Sequence, residues 1–170
     1  MARTKIDGSK TIMFDPAQYE GVKKYLGELY SKTRAKVVLF ADMSGQIIGE
    51  RGDTAEMNTT VLSALAAGDF AATAEIAKLV GEGDRFKLHF HEGETKNVYL
   101  TNVGDQFFLI IIFDATVALG MVRVYTKKAV ESLLIVIEEA STTEGLTEKD
   151  IIDEDFGNLL AQELDGAFRD

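Results

Sequence analysis

Past a polar, Gly/Ser-containing stretch over residues 1–13, apolar side chains first recur at three- and four-residue spacing: Tyr19, Val22, Leu26, Leu29 and Tyr30. That period predicts an amphipathic helix. Asp15-Pro16 supplies its start, an N-cap followed by proline at the first helical position, and the pattern lapses near Thr33. Residues 36–42 (KVVLFAD) are a short, β-branched and almost continuous apolar run, the pattern of a buried strand. Ser44-Gly45 turns it, and residues 46–51 return as the second strand of a hairpin.

Residues 58–80 go back to a helical period. Leu62, Leu65, Thr73, Ile76, Leu79 and Val80 are expected to form one apolar face that packs on a sheet. The other side carries Ala64, Ala67, Gly68, Ala71, Ala74, Glu75 and Lys78, mostly small residues where long charged ones are usual. Either alanine serves there simply as a good helix former, or the face is kept small so that another helix or protein can approach.

Three strand patterns follow, over residues 85–91, 97–103 and 107–113, with turns at Glu92-Gly93-Glu94 and Gly104-Asp105 short enough for antiparallel hairpins. A third helix is predicted to run to about Ala140, with Val122, Tyr125, Ala129, Leu133, Ile137 and Ala140 on one face. Residues 141–145 read as a polar break. Beyond it Ile151, Ile152, Phe156, Leu159, Leu160, Leu164 and Phe168 recur at helical spacing among Asp and Glu. An acidic amphipathic helix of this kind either folds back on its own domain or docks into a partner's groove. The element order gives an α+β fold, a five-stranded antiparallel sheet with helices on its faces plus a C-terminal amphipathic helix. The expected division is a flexible arm at 1–13, a domain at 14–141, and an acidic linker with the final helix at 142–170.

Charge and composition narrow the partners. Among 170 residues there are 28 acidic and 18 basic side chains and no cysteine. Disulfides, thiol catalysis and thiolate metal sites are therefore excluded. From residue 147 onward eight side chains are acidic and two basic, so 8 - 2 = 6 of the ten net negative charges sit in the tail. A field of that sign disfavours nucleic acid and anionic membranes and favours a partner with a basic patch. The longest apolar run, FFLIIIF at 107–113, is far short of the ~20 residues of a membrane helix. The N-terminus lacks the apolar stretch of a signal peptide, so a cytoplasmic protein is expected.

Catalytic chemistry is hard to find. His89, His91 and Glu92 are the only metal-like cluster; the histidines share one face of a strand and Glu92 points away. With no third histidine in the chain, they read as strand-end residues, and no metal or other cofactor is expected. Gly8-Ser9-Lys10-Thr11 lacks the glycine spacing of a phosphate loop and follows no strand. Ser44 and Ser63 lack the flanking glycines of a nucleophile elbow. Among six arginines, Arg51 stands at the end of a hairpin and reads as an ordinary surface charge.

In this order the segments AKVVLFADMSGQIIGERG, LSALAAGDFAATAEIAKLVGE, FHEG, VYLTNVG, LIIIFD and LGMVRVYTKKA resemble the roadblock/dynein-light-chain family, specifically its bacterial gliding-motility branch. The resemblance covers about residues 14–140; the arm and the tail are both longer than the family pattern. It implies a homodimer whose third strands pair antiparallel through Phe86, Leu88 and Phe90, giving one continuous ten-stranded sheet with the second helices side by side. It also implies a non-enzymatic regulator of a small Ras-like, MglA-type GTPase in motility or cell polarity, one that stimulates hydrolysis without an arginine finger and can favour exchange. Ala64, Ala67, Gly68, Ala71, Glu75 and Lys78 would face the GTPase, and the C-terminal helix would make a separate contact. The alternative is a scaffold of the same fold that leaves GTP turnover unchanged.

Overall fold

Asp15 opens helix α1, Pro16–Thr33. Its carboxylate accepts from the Gln18 N–H at 2.8 Å while the Gln18 side chain accepts from the Asp15 N–H at 2.9 Å, so two orphan donors are satisfied reciprocally. The computed structural model describes residues 12–167, and most of the expected arm, with Phe168, lies outside them.

The strands are β1 Val37–Asp42, β2 Ile47–Gly52, β3 His89–His91, β4 Lys96–Val103 and β5 Phe107–Asp114. They form one sheet in the order β2-β1-β5-β4-β3, every neighbouring pair antiparallel. Because β1 and β5 lie in the middle, both their faces are covered. That is why they read as continuous apolar runs rather than alternating ones. Val38, Phe40, Leu109, Ile111 and Phe113 join the cluster beneath α1 and the third helix. Val37, Leu39, Phe108, Ile110 and Ile112 face the opposite way, toward α2, Thr59–Val80.

The β1–β2 turn is fixed by Asp42, whose Oδ1 accepts from the Ser44 N–H at 2.9 Å and the Gln46 N–H at 3.0 Å. At the far end of β2, Gly52 has φ 110°, and a Cβ there would stand 2.0 Å from the Lys36 carbonyl oxygen. Only glycine fits that approach.

Three local expectations are corrected. First, β3 spans three residues rather than 85–91; it sits at the sheet edge with β4 alone to pair with, and residues 85–88 lead into it as a loop. Second, α2 rests on the sheet through Ala66 and Phe70, with Leu62, as expected, and Ala67 half-buried beside them; Ser63 and Ala77 are buried as well. Leu65, Ile76, Leu79 and Val80 point into solvent, with Leu79 86% exposed. The small residues allow the helix to sit close to the sheet, and one aromatic, Phe70, fills the gap by packing on Phe108 at 5.0 Å between ring centroids.

Third, α3 runs unbroken from Leu119 to Ala167, 49 residues, about 73 Å at the helical rise. The break at 141–145 is absent. Those residues include no proline, Ser141 Oγ donates back to the Ile137 carbonyl at 2.9 Å, and one glycine costs only about 1 kcal/mol in a helix. The division placed between 141 and 142 thus falls inside one helix. Its buried face includes Val122, Ala129, Leu133, Val136 and Ala140. The side chains of Ile151, Ile152, Phe156, Leu159 and Leu160 lie outside the described residues; Leu164 is 51% exposed.

Candidate functional site: the outer face of helix α2

Asn58 caps α2 by accepting from the Val61 N–H at 3.0 Å, and Gly81 ends it in the left-handed conformation. Between those caps only a narrow stripe is buried, so most of a 22-residue helix remains accessible. Two outward strips differ in chemistry.

The first is the small-residue strip. Ala64, Gly68, Ala71, Glu75 and Lys78 are exposed and Ala67 is half-buried, so the helix brings the predicted residues together along one flank. A Cβ on Gly68 would meet nothing within 4 Å. Open space at that position gives the glycine no role in the packing of this chain. The strip ends in an ion pair, Lys78 Nζ to Glu75 Oε1 at 2.7 Å. The hydrogen bond with Glu75, then its charge, raises the Lys78 pKa above the ordinary lysine value. Beside the strip is a hollow of about 440 Å³ whose lining includes Ala67, Ala71, Ala74, Met43 and Arg85. Arg85 is held there by Asp105 at 2.5 Å and by the Gly104 carbonyl at 3.2 Å, and the bond to Asp105 raises its pKa.

The second strip is a ridge of Val61, Leu65, Ile76 and Leu79 facing out, of which the sequence pattern assigns Leu65, Ile76 and Leu79 to the sheet. By length and composition alone, α2 is apolar enough to cross a bilayer, which the longest uninterrupted apolar run does not reveal. Its Phe70 and Ala66 are nevertheless seated in the sheet, and Asp69 is tied to β3.

That tie is invisible in the sequence. One oxygen of Asp69, Oδ2, lies 3.2 Å from His89 Nδ1 and 3.6 Å from His91 Nε2. His89 is buried against the Phe70 ring at 4.6 Å, with Thr73 Oγ1 3.4 Å from its Nδ1. His89 thus fastens the edge strand to α2, with His91 beside the same carboxylate. Among the described residues no group of three His, Cys, Asp or Glu could hold a metal ion. Phe86, Leu88 and Phe90 are half-buried, Phe86 edge-on to His89 and Phe90 stacked on Phe113, and they flank or belong to the free edge of the sheet.

Arg51 is on the wrong side for a finger at this face. Its Nη2 donates to the Lys23 carbonyl of α1 at 3.4 Å, across the sheet from α2. The α2 face therefore offers small side chains, an apolar ridge and one neutralised ion pair, a surface suited to holding another protein rather than to bond chemistry.

Comparison with known proteins agrees with this architecture. Residues 22–113 match the Roadblock/LC7 domain. The fold superimposes on Myxococcus xanthus MglB with a TM-score of 0.71 at 36% identity, covering 76% of this chain and 96% of that one. The gliding protein MglB of Thermus thermophilus gives 0.71 at 32% identity, covering 76% and 98%. A structure of MglB in a tetrameric arrangement gives 0.72 at 31% identity, covering 76% and 97%. With the matched domain spanning both strands of the first hairpin, α2 and the three remaining strands, the chain belongs to the Roadblock/LC7 family.

Proposed function

We propose that this chain is a homodimeric, non-catalytic regulator of a small Ras-like GTPase of the MglA type, acting in the cytoplasm in motility or cell polarity. The observation that carries the reading is the outer face of α2. A helix of 22 residues is seated by one narrow stripe and leaves both a small-residue strip and an apolar ridge uncovered. Its relatives are MglB proteins, and that name fits a partner of MglA.

The two strips divide the work. The ridge of Val61, Leu65, Ile76 and Leu79 and the free edge of β3 suit a second copy: pairing at Phe86, Leu88 and Phe90 would extend the sheet to ten strands and set the two α2 helices side by side. Covering such a ridge contributes roughly 25 cal/mol per Å² of apolar surface removed from water. The strip of Ala64, Ala67, Gly68, Ala71, Glu75 and Lys78 then receives the GTPase. Hydrolysis of GTP is mostly positioning and charge stabilisation about the γ-phosphate, so a surface that holds switch loops in one arrangement can accelerate it without a catalytic group. A scaffold that binds the same partner and leaves turnover unchanged is the competing reading.

Sedimentation of the full chain, alone and with GTP-loaded MglA-type GTPase, tests this arrangement. The expected species are a stable dimer and a complex of one GTPase per dimer. Leu65→Arg, on the ridge, is expected to yield a folded monomer that no longer binds the GTPase. A wild-type monomer, or a Leu65→Arg dimer of undiminished stability, contradicts the assignment of the ridge.

A further inference from the structure

On the sheet face opposite α2, helices α1 and α3 lie side by side, and the seam between them opens into a hollow of about 340 Å³. We propose that this groove binds the acidic stretch that begins at residue 147, in the C-terminal part of α3, from a second copy of the chain.

The groove has the chemistry of a receptor for an acidic amphipathic helix. Tyr25 and Tyr125 are half-buried in its walls, and Lys32 and Lys128 stand exposed at its rim, with Glu28 the one acidic residue lining it. The Lys24 ammonium lies over the Tyr25 ring and that of Lys128 over the Tyr125 ring, each 5.7 Å from the centroid. Lys23, Lys36 and Lys78 are engaged with carboxylates; among the described residues Lys24, Lys32 and Lys128 make no ion pair. Val124 and Ile135, exposed large apolar side chains of α3, extend the apolar surface beyond the groove. An occupant must therefore bring both carboxylates and apolar side chains.

Residues 147–170 bring both: eight acidic side chains against two basic, interleaved with Ile151, Ile152, Phe156, Leu159, Leu160, Leu164 and Phe168 at helical spacing. This stretch cannot serve its own groove. Ser132 lines the hollow, and thirty helical residues separate it from Gln162, about 45 Å along one continuous helix with no turn to bring it back. Ala161, Gln162, Leu164 and Gly166 are all exposed. Length, continuity and charge leave a second copy as the source.

The chain has no cysteine, so paired substitutions report the contact directly. Full-length Ser132→Cys and full-length Gln162→Cys are mixed and oxidised, with Glu82→Cys, exposed beyond the end of α2, replacing Ser132→Cys as the control. The expected product is the heterotypic disulfide between Ser132→Cys and Gln162→Cys chains, in excess of both homotypic products. Adding Lys32→Glu and Lys128→Glu to the Ser132→Cys chain, or raising salt, is expected to remove it, while circular dichroism shows the fold retained. Predominance of Gln162→Cys pairs would show that the tails pair with each other, and a heterotypic yield no higher than the Glu82→Cys control would show that the groove does not receive the tail. Either result overturns the proposal.

Discussion

Replacing Ala71 with arginine is expected to leave the protein folded and to abolish both GTPase binding and its effect on hydrolysis. Ala71 is exposed at the margin of the hollow beside α2, and its neighbours Ala67 and Ala74 are equally small. In the isolated domain a long side chain there has water to extend into. A surface change of that kind alters stability by no more than about 0.5 kcal/mol. Against a docked partner the same side chain occupies the volume the partner fills and brings an unpaired charge into a desolvated interface. A cost of about 3 kcal/mol or more is expected, which is a loss of roughly a hundredfold or greater in affinity. Thermal melts and a binding titration on the same preparation check this. A large fall in melting temperature would make Ala71 a core residue. Unchanged affinity would remove the small strip from the interface.

Phe70→Ala is expected to have the largest effect on the fold of α2. Phe70 is the one large side chain of α2 that is buried, lying on Phe108 of β5 and on His89 of β3. Of the helix's other anchors, Ser63, Ala66 and Ala77 are small and Leu62 is only half-buried, so each removes less apolar area from water. Removing a buried phenylalanine costs about 3–5 kcal/mol, and near 170 residues each kcal/mol lowers the melting temperature by roughly 2–4 °C. Val80→Ala is the control: it also trims an apolar side chain from α2, but one that is 64% exposed and outside the ridge of Val61, Leu65, Ile76 and Leu79. Comparable losses for the two variants would mean that α2 is seated differently.

The sheet was legible because its chemistry is local. Continuous apolar runs mark β1 and β5, Asp15-Pro16 marks α1, and Asn58 marks α2, all within a residue or so of their observed bounds. The face by which α2 packs was not. Helical periodicity identifies a stripe of large apolar residues, and the physical rule that such residues go inside assigns it to the core. Here Leu62 of that stripe does pack on the sheet beside Ala66 and Phe70, but Leu65, Ile76 and Leu79 are left outside. A helix with an exposed apolar ridge is the signature of a surface completed by another molecule, and no single-chain pattern separates that ridge from a core.

The helix break at 141–145 failed for a different reason. Ser, Thr and Glu are weak breakers, and Ser141 spends its hydroxyl on the Ile137 carbonyl within the same helix. The small strip itself was visible as composition, since Ala64, Gly68 and Ala71 recur on one flank where long polar residues are usual. Asp69 with His89 and His91 could not be found, because the contact joins residues 20 and 22 positions apart through tertiary packing alone.

Without a catalytic group of its own, this chain is expected to change the rate at which a Ras-like GTPase hydrolyses GTP. The direct measurement is single-turnover hydrolysis by an MglA-type GTPase with and without an excess of the full chain. Acceleration of about tenfold or more is expected, some 1.4 kcal/mol off the barrier, with the chain alone inert toward GTP. An unchanged rate in the presence of a demonstrated complex would contradict it and leave the chain a scaffold.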